Sequence, residues 1–212
     1  MNGLAPHTNR IFAQIAQLEC IKPYLLVGGT ALSIQIGKRQ SEDLDFMKWR
    51  TSKAEKMEVD WPTIKKELET IASIDSMNLM DIDHVEFVVA GVKISFYANP
   101  HYSPVSSPVL IQDNLYAADL LSIGAMKMEV MMRRSNFRDY YDIYSLLKEG
   151  VSFKEMVDLA LTYSGHLLHT KNLYAMLNNG NRFMIDDNFK QLQPQYDVTP
   201  KDIENYIRTY IQ

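Results

Sequence analysis

Residues 25–46 read LLVGGTALSIQIGKRQSEDLDF, and the order of elements within them is the most informative feature of the chain. Tyr24–Val27 is a short apolar run that stops at a glycine pair, which predicts a buried strand. Thr30–Ile36 then has the pattern of a helix start. Asp43–Lys48 alternates polar and apolar residues, which predicts a second strand. The stretch therefore predicts strand, glycine turn, helix and strand in close succession.

Two carboxylates lie on the second of these strands. Asp43 and Asp45 are two positions apart, so their side chains point to the same side. Carboxylates held this close repel each other and resist full ionisation, which a divalent cation relieves. Magnesium suits such a site, because it binds one or two carboxylates and keeps room for phosphate oxygens.

The glycine pair supplies the other half of the same site. Gly28 and Gly29 leave the backbone bare where a helix begins, and free N–H groups there can bind an anion. A phosphate cradle followed by a metal clamp indicates a site for a nucleoside triphosphate. Taken singly, the two motifs are usually a turn and a solvated carboxylate pair. Their order and spacing favour the functional interpretation.

A second group of charges is found in KMEVMMRRSNFRDYYD, which begins at Lys127. Lys127 and Arg134 are seven residues apart and would share a helix face, with Arg138 just beyond. Cations near a triphosphate can neutralise charge on the leaving pyrophosphate. Asp139 and Asp142 are i,i+3 neighbours on the next predicted helix. The alternative is an ordinary helical hairpin with solvated or paired charges, such as an Arg138–Asp142 pair.

Other chemical motifs are weak or absent. His166 and His169 are spaced i,i+3, but no cysteine or carboxylate accompanies them at a matching spacing, so a metal site is disfavoured. The G-x-S-x-G, P-loop and G-x-G-x-x-G signatures do not occur in the sequence.

Composition restricts the class of protein. A chain of 212 residues with 46% hydrophobic and 23% charged residues is typical of globular proteins. Its one cysteine, Cys20, excludes a disulfide framework and a cysteine zinc cluster. The sequence shows neither a signal-peptide pattern nor a membrane-spanning stretch of about 20 apolar residues. We therefore expect a soluble, cytoplasmic protein with no membrane partner.

The formal net charge of −4 argues against a general polyanion binder. Contact with nucleic acid would then need a local patch. Five cations are predicted to line one positive cleft: Lys38, Arg39, Lys127, Arg134 and Arg138. The sequence holds twelve methionines, and those near Lys127 are interpreted as core packing.

The pattern of the sequence changes near residue 113, which divides the chain into residues 1–113 and residues 114–212. In the first part we predict helices over residues 5–19 and Trp61–Ile71, a hairpin of Val85–Val89 with Val92–Phe96, and a loop over Asn99–Pro108. In the second part we predict helices from Asn114 to Arg134, from Ser135 to Gly150, from Ser152 to Tyr163, over Thr170–Leu177 and from Thr199 onward.

At these motifs the sequence resembles the AbiEii/AbiGii toxin family of nucleotidyltransferases, a branch of the DNA polymerase β-like superfamily. The resemblance covers Leu25–Phe46 and Leu120–Leu147, with a weaker match at Gly91–Pro100. It implies an α+β fold, in which a mixed β-sheet flanked by helices (the nucleotidyltransferase core, residues 1–113) precedes a helical C-terminal region. It also implies transfer of a nucleoside monophosphate from a triphosphate to an acceptor, with Mg²⁺.

The resemblance assigns roles to individual residues. The phosphates would be contacted by Gly28, Gly29 and Thr30 with Ser41 beside them, and by Lys127 and Arg134. Asp43 and Asp45 would hold the metal and, with Lys127 and Asp139, form the catalytic set. Asp139 and Asp142 match a late acidic motif that serves catalysis or local structure. In related systems the acceptor can be transfer RNA, and an antitoxin is encoded alongside the toxin.

One position departs from the superfamily pattern. Members often carry a third carboxylate on a neighbouring strand in a segment like K-x-D, and here Lys93 is followed by Ser95. A hydroxyl is a poor ligand for magnesium and a poor base near neutral pH. Glu86 can substitute only if it faces the site. The alternatives are therefore a catalytically degenerate nucleotide-binding or interaction module, or a nucleotidyltransferase that acts on a small molecule.

Overall fold

The fold is that of a computed structural model, which describes residues 2–165, 167–184 and 188–211. The helices are α1 (Pro6–Ala16), α2 (Gly28–Ile36), α3 (Trp61–Leu68), α4 (Leu120–Val130), α5 (Phe137–Lys148), α6 (Phe153–Tyr163), α7 (Thr170–Leu177) and α8 (Pro200–Arg208). The strands are β1 (Leu25–Val27), β2 (Leu44–Trp49), β3 (Ile74–Asp81), β4 (His84–Val89), β5 (Val92–Asn99), β6 (Val109–Gln112) and β7 (Leu115–Ala117).

The strands form one mixed sheet in the order β3-β4-β5-β2-β1-β7-β6. The pairs β2–β5 and β1–β7 are parallel, and the other neighbouring pairs are antiparallel. Because β1 and β2 run in opposite directions, the end of β1 lies beside the start of β2. The predicted mixed sheet with helices and a helical C-terminal part is confirmed.

The two faces of the sheet differ in polarity. On β5, Val92, Ile94 and Phe96 are buried, whereas Lys93, Ser95 and Tyr97 on the opposite face are partly exposed, as the alternation predicts. Phe46 of β2 stacks on Phe96, with ring centroids 5.1 Å apart. The buried face holds the core, which leaves the polar face of β2 and β5 available for chemistry.

The C-terminal helices pack closely on one another and on α2. Gly124 allows α4 to approach α6, since a methyl group there would lie 2.2 Å from the sulfur of Met156. Met128 and Met131 are fully buried, which confirms that methionines in this segment fill the core. Contacts of α4 and α5 with α2 bring the second charged segment up to the glycine turn.

The predicted helix from Asn114 begins too early. Asp113 and Asn114 form the turn of a hairpin, with Asp113 at φ +47°, and Leu115–Ala117 joins the sheet beside β1. The helix α4 begins at Leu120, where the Asp119 side chain accepts a hydrogen bond from the Ser122 amide. The sheet therefore extends beyond residue 113. The sequence pattern does not predict this strand, because three residues are too few to show a periodicity.

Other boundaries follow local capping chemistry. The predicted starts of α6 and α8 are confirmed, with Ser152 capping α6 and a reciprocal capping box between Thr199 and Asp202 on α8. Helix α5 differs from the prediction, because Asn136 caps it instead of Ser135. His166 of the predicted histidine pair lies outside the described residues. Within the described part of the chain, no helix is both long and apolar enough to cross a membrane.

Candidate active site

The glycine turn and the carboxylate pair meet at one end of the sheet. Val27, the last residue of β1, lies directly opposite Asp45 of β2. Gly28 has φ +70°, and a methyl group added there would lie 3.0 Å from an Asp45 carboxylate oxygen. Gly28 therefore has to be glycine both for its backbone conformation and for the close approach of Asp45.

The first turn of α2 presents backbone N–H groups at the same place. Val27 occupies the N-cap position and its apolar side chain cannot cap the helix. Gly29 packs against the segment that precedes β2: a methyl group there would lie 2.6 Å from Arg39 Nη2 and 3.2 Å from Ser41 Oγ. The first turn of α2 therefore has no side-chain cap, and Arg39 and Ser41 pack closely against it.

Replacing Gly29 by Ala should destabilise the protein by about 1–3 kcal/mol, because the added methyl group overlaps the buried guanidinium of Arg39. Urea unfolding of the variant measures this. The same substitution in an Arg39→Met background should cost less, since the overlapping atom is gone. Equal costs in both backgrounds would show that Arg39 does not support this turn.

Thr30 and Ser41 brace the site from within. Both are buried, and their hydroxyl oxygens are 2.8 Å apart. The Thr30 hydroxyl also lies within hydrogen-bond distance of the Asp43 carbonyl. These contacts tie the first turn of α2 to the start of β2 and hold Asp43 in position.

Ser95 occupies the strand position next to Asp45. The two residues are directly opposite in the parallel β2–β5 pair, and Ser95 Oγ donates a hydrogen bond to Asp45 Oδ1 at 2.6 Å. Burial raises the pKa of Asp43, and the charge of Asp45 raises it further against the opposing effect of Lys93. Repulsion between the two carboxylates, which the sequence predicts, therefore contributes to the raised pKa of Asp43, but burial is the larger cause.

Glu86 lies on the same face, one strand beyond Ser95. It is directly opposite Ser95 in the β4–β5 pair. Its carboxylate is 3.5 Å from Lys93 Nζ and 3.9 Å from His84 Nε2. Over the described residues, no group of three or more His, Cys, Asp or Glu side chains could hold a metal ion. The acidic donors at the site are thus Asp43 and Asp45, and this pair suits magnesium, which retains water and phosphate ligands.

Behind the glycine turn lies a group of five charged residues, hereafter the charge cluster: Arg39, Lys127, Arg134, Asp139 and Asp142. Asp142 receives two bonds from Arg39, Nε to Oδ1 at 2.8 Å and Nη2 to Oδ2 at 2.9 Å. Lys127 Nζ lies 2.7 Å from an oxygen of each of Asp139 and Asp142. Arg134 binds Asp139 through Nε at 2.7 Å and Nη2 at 3.0 Å.

The charge cluster differs from the cation cleft predicted from the sequence. Arg39 and Lys127 are each only 6% exposed, so neither lines an open cleft. Lys127 and Arg134 do not share a helix face, because α4 ends at Val130, but they converge on Asp139. Asp142 binds Arg39 and Lys127 instead of forming the alternative pair with Arg138. Buried cations require paired carboxylates, and the two aspartates supply them.

Electrostatics keep the charge cluster ionised. Burial by itself would raise the pKa of Asp139, but Lys127 and Arg134 outweigh it and lower that pKa to about 2. The hydrogen bond from Arg134 to Asp139 raises the pKa of Arg134, and the charge of Asp45 adds to the rise. The side chain of Arg134 is 55% exposed, and its charge interaction with Asp45 couples the buried charges electrostatically to the carboxylate pair.

The lowered pKa of Asp139 predicts acid sensitivity. The ordinary value is 3.8, so the stabilisation from ionised Asp139 is complete above that pH and is lost as the pH falls towards 2. We expect a loss of about 2 kcal/mol in the unfolding free energy of the wild type relative to Asp139→Asn between pH 5 and pH 2. Urea unfolding at several pH values measures it, with Asp158→Asn as a surface control. A constant difference between wild type and Asp139→Asn would contradict the prediction.

Comparisons with known proteins identify similar chains. A family model described as "Nucleotidyl transferase AbiEii toxin, Type IV TA system" matches residues 10–209. An uncharacterized protein of Aquifex aeolicus (strain VF5) is 25% identical over 161 residues, 75% of each chain.

Two solved structures share the fold. MenT4, a nucleotidyltransferase toxin of Mycobacterium tuberculosis H37Rv, aligns with a TM-score of 0.61 at 16% identity, covering 97% of this chain and 83% of that one. JHP933 from Helicobacter pylori aligns with a TM-score of 0.51 at 16% identity, covering 96% of this chain and 93% of that one.

Proposed function

Because the chain belongs to the AbiEii family of nucleotidyltransferase toxins, we propose that it transfers a nucleoside monophosphate from a nucleoside triphosphate to an acceptor. The observation that carries the proposal is the contact between the bare first turn of α2 and the Asp45 carboxylate. This contact puts an anion-binding helix terminus and a candidate metal ligand side by side. A triphosphate with its magnesium ion needs both at once.

The residues divide the work by their chemistry. Asp43 and Asp45 would hold Mg²⁺, which when bound supplies charge stabilisation to the triphosphate and activates the acceptor oxygen. Backbone N–H groups of Gly28, Gly29 and Thr30 would bind phosphate oxygens. Ser95 donates a hydrogen bond to Asp45 and so would orient that carboxylate instead of serving as a third metal ligand.

The charge cluster would supply a fixed positive charge behind the phosphates. Its three cations and two carboxylates leave one net positive charge. Arg134 is the exposed member and would approach the triphosphate directly, whereas Lys127 would act from its buried position between two carboxylates. In this proposal Asp139 and Asp142 keep the cations in place and do not contact the nucleotide.

We further propose RNA, such as transfer RNA, as the acceptor and a co-encoded antitoxin as the partner, acting in the cytoplasm. Membership of a toxin–antitoxin family supports the partner. Exposed cations beside the polar sheet face support an RNA acceptor in spite of the net charge of −4: Lys93, Arg133 and Arg134.

Calorimetry with each of the four nucleoside triphosphates tests the proposed site. We expect one or more of them to bind only when Mg²⁺ is present, and Asp43→Asn to abolish the binding. Ser95 in place of a carboxylate favours a second candidate, a binding module without turnover. Magnesium-dependent binding without transfer to RNA, to protein or to small hydroxyl compounds would support that module, and transfer to a small compound alone would replace RNA as the acceptor.

A further inference from the structure

We propose that Arg39 is a positioning residue of the nucleotide site, which holds the first turn of α2 in the conformation that accepts the triphosphate. The inference rests on the proposed function. It concerns a residue that touches neither the carboxylate pair nor the bare face of the turn, and that acts through the backbone of Gly29.

The guanidinium of Arg39 fills the space between two elements. On one side it binds Asp142 of α5 with two bonds, of 2.8 and 2.9 Å. On the other side it packs under Gly29, where a single added carbon would come within 2.6 Å of Nη2. Its Nη1 donates to the carbonyl of Gln40 at 2.8 Å, which fixes the third edge of the group. The first turn of α2 is therefore supported by a planar group that is itself held on two sides.

The shape of the Arg39 guanidinium is as important for supporting the α2 turn as its charge. A lysine at this position would keep the positive charge but could not bind both oxygens of Asp142 and reach under Gly29 at the same time. The support would then be lost while the cluster kept its net charge. Small displacements of binding groups weaken substrate binding strongly. We therefore expect the substitution to reduce nucleotide affinity more than it reduces the thermal stability of the protein.

Two variants separate positioning from charge and from folding. Arg39→Lys retains all five charges of the cluster. The pair Arg39→Met with Asp142→Leu removes one cation and one carboxylate, so the net positive charge is unchanged, and an apolar pair of similar volume often preserves stability. Lys154→Met is the control, since Lys154 is an exposed cation of α6 that pairs with the exposed Asp158 and lies outside the proposed site.

The measurements are thermal unfolding, nucleotide affinity by calorimetry with Mg²⁺, and hydrogen exchange of the Leu32 amide, which belongs to the first hydrogen-bonded turn of α2. In Arg39→Lys and in the apolar pair, we expect folded protein, affinity weakened by about tenfold or more, and faster exchange at Leu32 without nucleotide. Lys154→Met should match the wild type in all three.

Unchanged nucleotide affinity or unchanged Leu32 exchange in a folded Arg39→Lys protein would overturn the inference. If the apolar pair fails to fold, Arg39→Lys decides alone. Wild-type protein that binds no nucleoside triphosphate would contradict the proposed function instead. The exchange measurement needs no nucleotide, so it still tests whether Arg39 holds the turn.

Discussion

Replacing Asp45 by Asn should lower the rate of nucleotide transfer by a factor of about 10³ or more, which corresponds to about 4 kcal/mol of lost transition-state stabilisation. Asn keeps the shape of the side chain and can still accept the hydrogen bond from Ser95. The fold should therefore be retained, and the loss should reflect the missing charge at the metal site.

Transfer of label from an α-labelled triphosphate measures this effect, alongside thermal unfolding of the variant. Glu86→Gln is the matched control, because Glu86 lies on the same sheet face but is paired with Lys93. We expect this control to keep activity within a few-fold of the wild type. An Asp45→Asn protein with near-normal activity would remove Asp45 from the metal site, and an inactive Glu86→Gln would mean that Glu86 is the missing third carboxylate.

Replacing Asp142 by Ala should destabilise the protein by about 3–5 kcal/mol, because it leaves buried charge uncompensated. Arg39 would lose both of its bonds to α5, and Lys127 would keep only Asp139. The free energy of unfolding of an ordinary domain is about 5–15 kcal/mol, so this substitution would remove a large part of it.

Urea unfolding measures the cost, with Asp158→Ala as the comparison. Asp158 forms an exposed i,i+4 pair with Lys154, at a distance of 2.8 Å, and its loss should cost far less than the loss of Asp142, because water screens exposed pairs. Equal losses of unfolding free energy in the two variants would show that the carboxylate of Asp142 is solvated. Arg39 would then not be held by Asp142, and the proposed support of the α2 turn by Arg39 would be contradicted.

Local signals account for the parts of the fold that the sequence predicts. The strand before Gly28, the helix after it and the strand through Asp45 follow from polarity patterns and a glycine pair within one short segment. The alternation on β5 predicts correctly which side of the sheet faces the core. Helix starts at Ser152 and Thr199 are correct because a cap is a short-range hydrogen bond.

Long-range contacts account for the parts that the sequence does not predict. Arg39 and Asp142 are 103 residues apart, and no local sequence pattern around either residue predicts that they pair. The basic residues at 38 and 39 favour an open cation patch, whereas packing of α5 against α2 buries Arg39. The strand Leu115–Ala117 exists because β1 offers it a parallel partner, not because three residues show a strand pattern.

Ser95 is a hydrogen-bonding neighbour of Asp45 in the structure. The family resemblance implies that a third carboxylate is often found at this position. The structure adds that its hydroxyl donates to Asp45 and that Glu86 is held by Lys93. The candidate site is therefore a two-carboxylate site with a hydrogen-bonded neighbour, and catalysis would depend on positioning and charge neutralisation.

Transfer of a nucleoside monophosphate is measured by incubating the protein with Mg²⁺, bulk RNA and one triphosphate labelled on either the α- or the γ-phosphate. We predict that the α-label becomes covalently attached to RNA while the γ-label is released as pyrophosphate, and that Asp45→Asn gives neither product. Attachment of the γ-label, or no release of pyrophosphate with any of the four nucleotides, would contradict the claim.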